Sequence, residues 1–416
     1  STSTSRAAAP PLPKGIARRV SAARALARER RIPIFLVGGA VRDLLLGRPG
    51  QIADVDLVVE EDAPGFARDL ARRLEAPVKL HGRFGTAVVE TPSRERLDVA
   101  TARKESYDRP GALPRVRPGT IQDDLARRDF TVNAMAMEIA RRGRPRLLDP
   151  FGGRADLRRR RIRMLHPGSP SDDATRAFRA VRYANRLGFT IDPETRRWIR
   201  DAVESGAVNA VSGDRLRREL ALIFSEADRG RAVRELGRLG LAAALHPSLA
   251  FDAATLRRLR SAERLASKPG PAPTWLVYLL AWMGEGSEGM AAAVAERLNL
   301  PRREGAAVRR WPHTSRGLVA AARAPLPRRI AAIEGVSADE LIAAAALLSV
   351  PLARCLLEAR KAAGLHLTIR GRDLLEAGVP AGPAIGRALS ATLSARRDGT
   401  IRVDEELAFA LKSVRS

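Results

Sequence analysis

Short apolar runs, each interrupted by polar, glycine or proline residues, alternate along the chain up to about residue 150. Runs of this length that are rich in Val, Ile, Leu and Phe predict strands. The predicted strands are Ile34–Val37, Val55–Val59, Val78–Leu80, Thr86–Glu90, Arg96–Ala100, Val132–Ile139 and Arg146–Leu148. Between them, Ala63–Leu74 has apolar residues at helical spacing and predicts a helix. This part of the chain predicts a small mixed sheet with helices packed on it.

Beyond about Asp172 the apolar positions recur at helical spacing almost to the end of the chain. The clearest predicted helices are Leu216–Phe224, Ala232–Leu239, Thr274–Met283, Gly289–Leu298, Ser337–Leu348, Pro351–Ala363, Gly382–Arg396 and Glu405–Val414. Lys268–Pro271 and Ala324–Pro327, which are rich in proline, separate groups of these helices. The predicted fold class is α+β, with a small mixed-sheet head followed by an all-α neck, body and tail.

At 416 residues the chain is long enough to form more than one domain. We expect residues 1–14 to be disordered, because they are rich in Ser, Thr, Ala and Pro. Residues 15–150 are expected to form the head, residues 151–225 a helical neck, residues 226–330 a helical body and residues 331–416 a helical tail.

The chain is strongly basic, with 73 Lys and Arg against 47 Asp and Glu and a net charge of +26 at pH 7. This charge favours a polyanionic partner, although the predominance of Arg also fits a GC-rich genome. The single cysteine, Cys355, excludes a disulfide framework and a cysteine-based zinc site. No apolar run approaches the roughly 20 residues of a membrane span, and the first residues lack a signal-peptide core. We therefore expect a cytoplasmic protein with no membrane partner.

Two aspartates one residue apart, Asp54 and Asp56, lie at the start of one predicted strand. Alternate side chains share one face of a strand, so both carboxylates point the same way. Like charges in an apolar strand are costly unless a cation offsets them, and oxygen ligands with no Cys or His nearby favour Mg²⁺. Asp98, on another predicted strand, is a candidate third carboxylate that would bind or deprotonate an attacking hydroxyl. The alternative to a catalytic role is that Asp98 is an ordinary surface aspartate at a strand end.

Gly38 and Gly39 follow the predicted strand Ile34–Val37 and precede the helix-like stretch Val41–Leu46. A strand, a glycine turn and a helix start can present bare N–H groups to phosphates. A lone glycine pair is usually only a tight turn. A phosphate cradle beside a pair of metal-binding carboxylates, however, predicts nucleotidyl transfer.

Four blocks of residues in a fixed order carry a resemblance to a known family. They are Gly38–Asp43 with Asp54 and Asp56, Arg127–Met135, Asp149–Gly153, and Asp172–Arg182 with Leu187–Phe189. These blocks resemble the successive motifs of class II tRNA nucleotidyltransferases, the CCA-adding enzymes, and of bacterial poly(A) polymerases. The resemblance is close from about Phe35 to Phe189 and returns weakly at Gly371–Leu389. It implies a nucleotidyltransferase head and a template-independent enzyme that adds C and A to the tRNA 3′ end from CTP and ATP.

The resemblance also implies roles for individual residues. Asp54 and Asp56 would hold the metal of a two-Mg²⁺ site, and Asp173 with Arg176 would read the base edge as a protein template. The candidate nucleotide-binding residues are Gly38, Gly39, Arg42, Arg128, Asp129, Asn133, Asp172, Asp173, Arg176, Arg179 and Arg182. The last five of these residues lie on a helix that is predicted to begin near Ser171. The alternative to nucleotide binding is that the Asp and Arg residues of this helix form ion pairs on a solvated face. Asp172 stands where the family has glutamate, and its shorter side chain is expected to affect the choice between CTP and ATP.

Two basic segments are candidates for RNA binding. Their residues are Arg158, Arg159, Arg160 and Arg161 after the third block, and Arg370 and Arg372 in the segment that resembles the family's tail. The alternative for the first segment is a basic face that contacts only solvent. The alternative for the second is a corner where two helices pack. Aromatic residues are too sparse to form stacking platforms, so we expect the partner to be a folded tRNA, recognised through the shape and phosphates of its acceptor stem and elbow.

A loop rich in Pro, Gly and Arg extends from Lys104 to Gly119. In the resembled family a loop in this region helps the enzyme switch from CTP to ATP and is shortened in CC-only enzymes. Its presence therefore argues against CC-only addition. A-only addition, poly(A) synthesis and a non-catalytic RNA-binding module remain the alternatives to CCA addition.

Overall fold

The computed structural model describes residues 9–52, 54–81, 85–91, 95–106, 115–141, 143–249, 251–267 and 274–415. The chain divides into two compact units. The first takes the chain up to Glu219 together with Glu226–Ala244, and the second takes Leu220–Ser225 and the chain from Leu245 onward. Among the described residues, no helix combines the length and the apolar character needed to cross a membrane.

The strands all lie in the first unit of the described chain. They are β1 (Ile34–Val37), β2 (Val55–Val59), β3 (Val78–His81), β4 (Thr86–Glu90), β5 (Arg96–Thr101), β6 (Arg103–Ser106), β7 (Arg115–Pro118), β8 (Ala136–Glu138), β9 (Arg146–Leu148), β10 (Arg161–Ile162) and β11 (Thr190–Ile191). Seven of them form one sheet in the order β3-β4-β5-β2-β1-β8-β9. β2 and β5 are parallel, and the other neighbours are antiparallel. β6 pairs with β7, and β10 with β11.

The helices of the first unit pack on this sheet and continue beyond it. They are α1 (Lys14–Arg19), α2 (Ser21–Glu29), α3 (Gly39–Leu45), α4 (Ala63–Leu74), α5 (Ile121–Ala126), α6 (Gly153–Arg159), α7 (Ser169–Asp172), α8 (Thr175–Leu187), α9 (Pro193–Glu204), α10 (Gly213–Ser225), α11 (Arg229–Arg238) and α12 (Leu241–Leu245). The boundary between the units falls within α10 and at the end of α12.

The central strands are apolar because both faces of the sheet are covered. All residues of β1 are buried, as a continuous apolar run predicts for a strand with no solvent-facing side. Phe35, Val37 and Val58 pack against Ile121 and Leu125 of α5. α4 packs on β3, β4 and β5. This core fixes the strand ends on which the carboxylates of the site lie.

The second unit is all-α in the part of the chain that the structure describes. Its helices are α13 (Ala253–Ala266), α14 (Trp275–Met283), α15 (Glu288–Arg297), α16 (Arg302–Ala321), α17 (Leu326–Ala332), α18 (Ala338–Ala346), α19 (Val350–Ala363), α20 (Gly371–Glu376), α21 (Pro383–Arg397) and α22 (Glu406–Arg415). The last three helices enclose a small core of their own around Leu374, Val379 and Ala410. Glu406 is buried there and accepts hydrogen bonds from Arg396 and Thr368.

The α+β class and the change from a mixed sheet to helices are confirmed. The predicted strand Val132–Ile139 is wrong in its first half, because Thr131–Asn133 form a 3-10 turn and only Ala136–Glu138 pair as β8. The segment predicted as a loop from Lys104 to Gly119 contains the paired strands β6 and β7, and residues 107–114 lie outside the described residues.

The expected disordered start of the chain also differs in part from the structure. Residues 1–8 lie outside the described residues, but Ala9 is buried and α1 begins at Lys14. The finer division of the chain into head, neck, body and tail stays a prediction.

Candidate active site

Three carboxylates lie together at one end of the parallel strand pair. The register of β2 and β5 sets Asp56 opposite Asp98, so their side chains are neighbours on one face of the sheet. Asp54 directly precedes β2. Asp98 is held from its other side by Arg96, whose Nη2 donates to Asp98 Oδ1 at 2.8 Å. The sequence could identify each aspartate, but only the strand register brings Asp56 and Asp98 side by side.

This arrangement changes the acid–base behaviour of Asp56. The pKa of Asp56 is raised, first by desolvation and then by the negative charges of Asp98 and Asp54, against the opposing effect of Arg128. The Asp56 side chain still keeps one side open to solvent. A cation placed there would relieve the repulsion among the carboxylates.

The donor atoms at this position fit a hard cation. Mg²⁺ in nucleotide-processing sites usually takes one or two protein carboxylates and completes its shell with phosphate oxygens and water. No group of three or more His, Cys, Asp and Glu side chains among the described residues is arranged to enclose a metal ion. The open side of Asp56 fits a metal that shares its coordination shell with a substrate.

The glycine turn between β1 and α3 lies beside these carboxylates. Gly38 has a φ of +68°, which favours glycine, and a Cβ added to it would lie 2.7 Å from Arg128 Nη1. The Arg128 guanidinium is held by Asp124, whose Oδ2 accepts from Nη2 at 2.9 Å. Gly38 thus allows an anchored arginine to approach the backbone of the turn.

A cavity of about 590 Å³ opens over the turn and Asp56, whereas Asp54 and Asp98 are not among its lining residues. Its lining residues are Gly38, Gly39, Asp56, Glu105, Arg127, Arg128, Asp129, Asn133, Asp173, Thr175, Arg176, Arg179, Tyr183, Arg215, Arg218 and Glu219. Nearly all of them are polar, and arginine is the commonest type. Guanidinium groups in this number favour a ligand that carries phosphates.

The Asp129 carboxylate accepts hydrogen bonds on both of its oxygens. Its Oδ1 accepts from the backbone N–H of Phe130 at 2.8 Å and from Asn133 Nδ2 at 3.0 Å. Its Oδ2 accepts from Arg179 Nη2 at 2.6 Å and Nε at 2.9 Å. Burial alone would raise the pKa of Asp129, but Arg179 and the Asn133 hydrogen bond hold it below the ordinary value. Asp129 is therefore an ionised acceptor at neutral pH.

The predicted template residues are held by different partners. Asp173 Oδ1 accepts from the Thr175 hydroxyl at 2.6 Å, and Asp173 Oδ2 accepts from Arg215 Nη2 at 2.7 Å. Arg176 is buried, and it donates to Ser169 Oγ at 2.8 Å and to the carbonyl oxygen of Arg127 at 2.7 Å. Both side chains line the cavity in fixed orientations.

The structure separates the other predicted residues from the cavity lining. Arg42 is buried behind it, where Nη1 donates to Asn133 Oδ1 at 2.9 Å. Arg182 lies near Glu219, with 3.7 Å between Nη1 and Oε2. Asp172 ends the short helix α7 and lies 3.8 Å from His166 Nε2. The helix predicted to begin near Ser171 therefore starts at Thr175, as α8, and excludes Asp172.

The predicted RNA-binding arginines lie on the surface. Arg158 and Arg159 belong to α6, Arg160 ends it, and Arg161 begins β10. All four are exposed, although Arg161 Nη1 lies 3.3 Å from Asp192 Oδ1. In the second unit, the exposed residues Arg370 and Arg372 lie at the start of α20.

Several lining residues were missed by the sequence analysis, notably Tyr183, Arg215, Arg218 and Glu219. The last three share α10, where the spacing of 215, 218 and 219 places them on one helix face. That spacing was a usable signal. Glu219 is buried, and its pKa is raised, first by desolvation, while Arg182 and Arg179 oppose the shift.

Family comparisons agree with this geometry. Residues 34–163 match the poly A polymerase head domain, and residues 188–252 match a domain described as a probable RNA and SrmB-binding site of polymerase A. An A-adding tRNA nucleotidyltransferase of Geobacter sulfurreducens is 34% identical over 92% of this chain and 45% of its own length. The chain thus spans less than half of that relative.

Two further relatives match along most of their length. A CC-adding tRNA nucleotidyltransferase of Deinococcus radiodurans is 34% identical over 91% of this chain and 89% of its own. A solved structure of the Thermotoga maritima CCA-adding enzyme in complex with tRNA superposes with a TM-score of 0.80 at 28% identity, covering 97% of this chain and 96% of that one. Nucleotidyltransferases of this kind are generally metal-dependent. The chain belongs to the tRNA nucleotidyltransferase family that is built on the poly A polymerase head domain.

Proposed function

We propose that this protein adds C and A residues to the 3′ end of tRNA, without a nucleic-acid template, from CTP and ATP. The observation that carries the proposal is the position of Asp56, beside Asp98, on the wall of the same cavity as the Asp129–Arg179 pair. One side of the cavity offers the Asp56 carboxylate for a metal, and the other offers groups that suit a nucleotide. The family membership supports the same chemistry.

Asp54 and Asp56 are the residues that would hold Mg²⁺, in a two-metal site. The metal, when bound, polarises the α-phosphate of the nucleotide and stabilises the pyrophosphate that leaves. The tRNA 3′-hydroxyl oxygen forms the new bond to the α-phosphorus as the bond to pyrophosphate breaks. Asp98 would orient that hydroxyl or accept its proton, and its bond to Arg96 supports a fixed orientation.

Binding of the nucleotide would exchange partners within the cavity. Arg128 and Arg179 would turn to the phosphates, since a guanidinium pairs well with phosphate oxygens. Asp129, which now accepts from Arg179, would then be released to accept from the ribose hydroxyls. Asn133 keeps its bond to Asp129 Oδ1 and would hold the carboxylate in place during this exchange.

Asp173 and Arg176 would select the base. A carboxylate accepts from the amino group that cytosine and adenine share, and an arginine donates to the acceptors on the same edge. The bonds from Arg215 and Thr175 support the role of Asp173, because they fix its carboxylate at the cavity wall. Asp172, paired with His166 outside the lining, would influence this choice only indirectly.

The tRNA would contact surfaces beyond the cavity. We assign the acceptor stem to the exposed arginines Arg158–Arg161 and the elbow to the segment around Arg370 and Arg372. In this scheme residues 15–150 form the catalytic head, residues 151–225 the neck, residues 226–330 the body and residues 331–416 the tail. The tRNA complex of the Thermotoga relative supports a folded tRNA as the substrate.

A-only addition is the second candidate, because the Geobacter relative is an A-adding enzyme. The deciding experiment supplies tRNA transcripts that end before CCA, after the first C and after CC, each with CTP, ATP or both, in Mg²⁺. CCA addition predicts that all three are completed to CCA when both nucleotides are present. Extension of the CC-ended transcript alone would identify an A-adding enzyme, and long A tracts on unrelated RNA would identify a poly(A) polymerase. Absence of any extension despite tRNA binding would indicate a non-catalytic module.

A further inference from the structure

One tyrosine of α8 is surrounded by arginines. The guanidinium carbons of Arg182, Arg42 and Arg179 lie 5.1, 5.4 and 5.5 Å from the centre of the Tyr183 ring. The ring of Phe130 meets it edge-on, with 5.7 Å between ring centres. These distances are within the range of cation–π attraction. The Tyr183 side chain also lines the nucleotide cavity.

Tyr183 completes a closed chain of contacts. Arg42 donates to Asn133, Asn133 donates to Asp129, and Asp129 accepts from Arg179. The Tyr183 ring contacts both the first and the last member of this chain, Arg42 and Arg179. Loss of the ring would remove the contact that joins these two arginines.

The guanidinium groups of Arg42, Arg179 and Arg182 repel one another, so each needs an attractive partner. Arg42 has Asp43 as a counter-ion, with 2.9 Å between Nε and Oδ1, whereas Arg182 lies farther from Glu219, with 3.7 Å between Nη1 and Oε2. Arg179 would lose Asp129 as a partner whenever phosphates take its place. A neutral aromatic ring attracts each guanidinium in both situations, since the attraction does not depend on a carboxylate.

We propose that Tyr183 is a positioning residue that, through its ring, holds Arg179 and Asp129 in the orientation that binds the nucleotide. This inference rests on the proposed function of the cavity. It assigns the role to the ring face, beside the interaction that the Tyr183 hydroxyl makes with Arg42. It also predicts an effect on nucleotide binding, with little effect on the rate of the chemical step.

The test compares Tyr183→Phe, which keeps the ring, with Tyr183→Leu, which removes it. Equilibrium binding of ATP and CTP to the full chain is measured in Mg²⁺ without tRNA, and KM and kcat are then measured with tRNA. Tyr278→Leu is the matched control, because Tyr278 is a buried tyrosine of the second unit that stacks on Phe224. Tyr183→Met provides a second ring-free variant if Tyr183→Leu does not fold.

We expect Tyr183→Phe to bind both nucleotides within about twofold of the parent protein. Tyr183→Leu should weaken binding and raise KM about tenfold while kcat changes little, whereas Tyr278→Leu should lower Tm without changing nucleotide affinity. Parent-like affinity in a folded ring-free variant would overturn the inference, and so would an equal loss in Tyr183→Phe. A protein that binds ATP and CTP but extends no tRNA would refute the proposed function and still allow this comparison.

Discussion

Asp56 is the residue at which stability and chemistry oppose each other. Folding brings its carboxylate next to Asp98 and close to Asp54, and the raised pKa of Asp56 expresses the resulting cost. A protein without use for this cluster would gain by replacing one member with an amide. The cost is offset when a cation binds, so stability and metal binding should be linked.

Asp56→Asn is expected to abolish nucleotide addition and to raise Tm at pH 7.5. The pKa of Asp56 is higher in the folded state than in the unfolded chain, where it is about 3.9. At a pH above the unfolded pKa the ionised carboxylate therefore destabilises the folded state. This penalty disappears as the pH falls below the unfolded pKa, where Asp56 is protonated in both states. The gain in Tm should therefore vanish near pH 3.5. Added Mg²⁺ should raise the Tm of the parent protein but not that of the variant. Differential scanning calorimetry at both pH values checks this.

Glu90→Gln, at the exposed end of β4, which β5 separates from β2, is the control for the removal of one negative charge. It should keep both the activity and the Mg²⁺-dependent rise in Tm. An Asp56→Asn protein that retained substantial Mg²⁺-dependent addition would refute the metal assignment.

Asp173→Asn is expected to reduce discrimination against UTP and GTP. An amide can keep its oxygen toward Thr175 and so preserve the bonds from the Thr175 N–H and hydroxyl, while its NH₂ replaces the oxygen that accepts from Arg215. A correct base-edge contact is worth roughly 1–3 kcal/mol, so selectivity should fall about ten- to a hundredfold. Competition assays with all four nucleotides measure the change. Asp172→Asn is the matched control, and unaltered selectivity in both variants would contradict the template role.

At the scale of elements, the turn between β1 and α3 determines where Arg128 lies. A Cβ at Gly38 would lie 2.7 Å from the end of the Arg128 side chain, so Gly38→Ala should displace the guanidinium, and the positive φ of Gly38 should lower Tm in addition. Nucleotide KM is expected to rise about tenfold, because Arg128 would lose its place beside the phosphates. Steady-state kinetics with ATP and CTP test this expectation.

Gly47, in the segment that follows α3, offers a control for a positive φ. Its φ is +70°, close to the +68° of Gly38, but a Cβ there meets nothing within 4 Å. Gly47→Ala should lower Tm, because its φ disfavours a Cβ, and leave KM unchanged. Equal KM values for the two variants would contradict a role for the contact between Gly38 and Arg128.

The elements that the sequence predicts well are those whose residues face an apolar environment. β1, β2, β4 and α4 have the predicted bounds, since their apolar patterns continue to the ends of the elements. The segment Thr131–Asn133 is buried as well but forms a 3-10 turn, in which Asn133 bonds to Asp129 and Arg42. A hydrogen bond between residues far apart in sequence, such as Arg42 and Asn133, cannot be predicted from the pattern of apolar residues.

The same limit applies to the site. Asp54 and Asp56 are recognisable in the sequence because paired carboxylates in an apolar strand are unusual, whereas Asp129 is recognisable only through the resemblance of its block to the family's motif. The orientation of Arg42 behind the cavity could not be read from the chain, since its partner Asn133 is far away in sequence. Tyr183 was also missed, because a half-buried aromatic residue on a helix normally indicates core packing.

At the scale of the whole molecule, the charge of +26 is the property most directly tied to the substrate. In the cavity, most arginines face carboxylates, so the free protein already neutralises much of this local charge. Exposed arginines such as Arg158 and Arg370 have more charge to offer to a distant phosphate backbone. Nucleotide affinity and tRNA affinity should therefore respond differently to salt, with the stronger dependence for tRNA.

The double variant Arg370→Glu/Arg372→Glu tests whether the second unit contacts the tRNA elbow. It should weaken binding of full-length tRNA and lower the slope of log K against log salt by about one to two, since each phosphate contact contributes about 0.7–0.9. Binding of an acceptor-stem minihelix, and addition to it, should change little, because the chemistry lies in the first unit. The exposed pair Arg302→Glu/Arg303→Glu on α16 controls for net charge. Equal losses on tRNA and minihelix in the Arg370/Arg372 variant would instead assign these arginines to the fold of the tail.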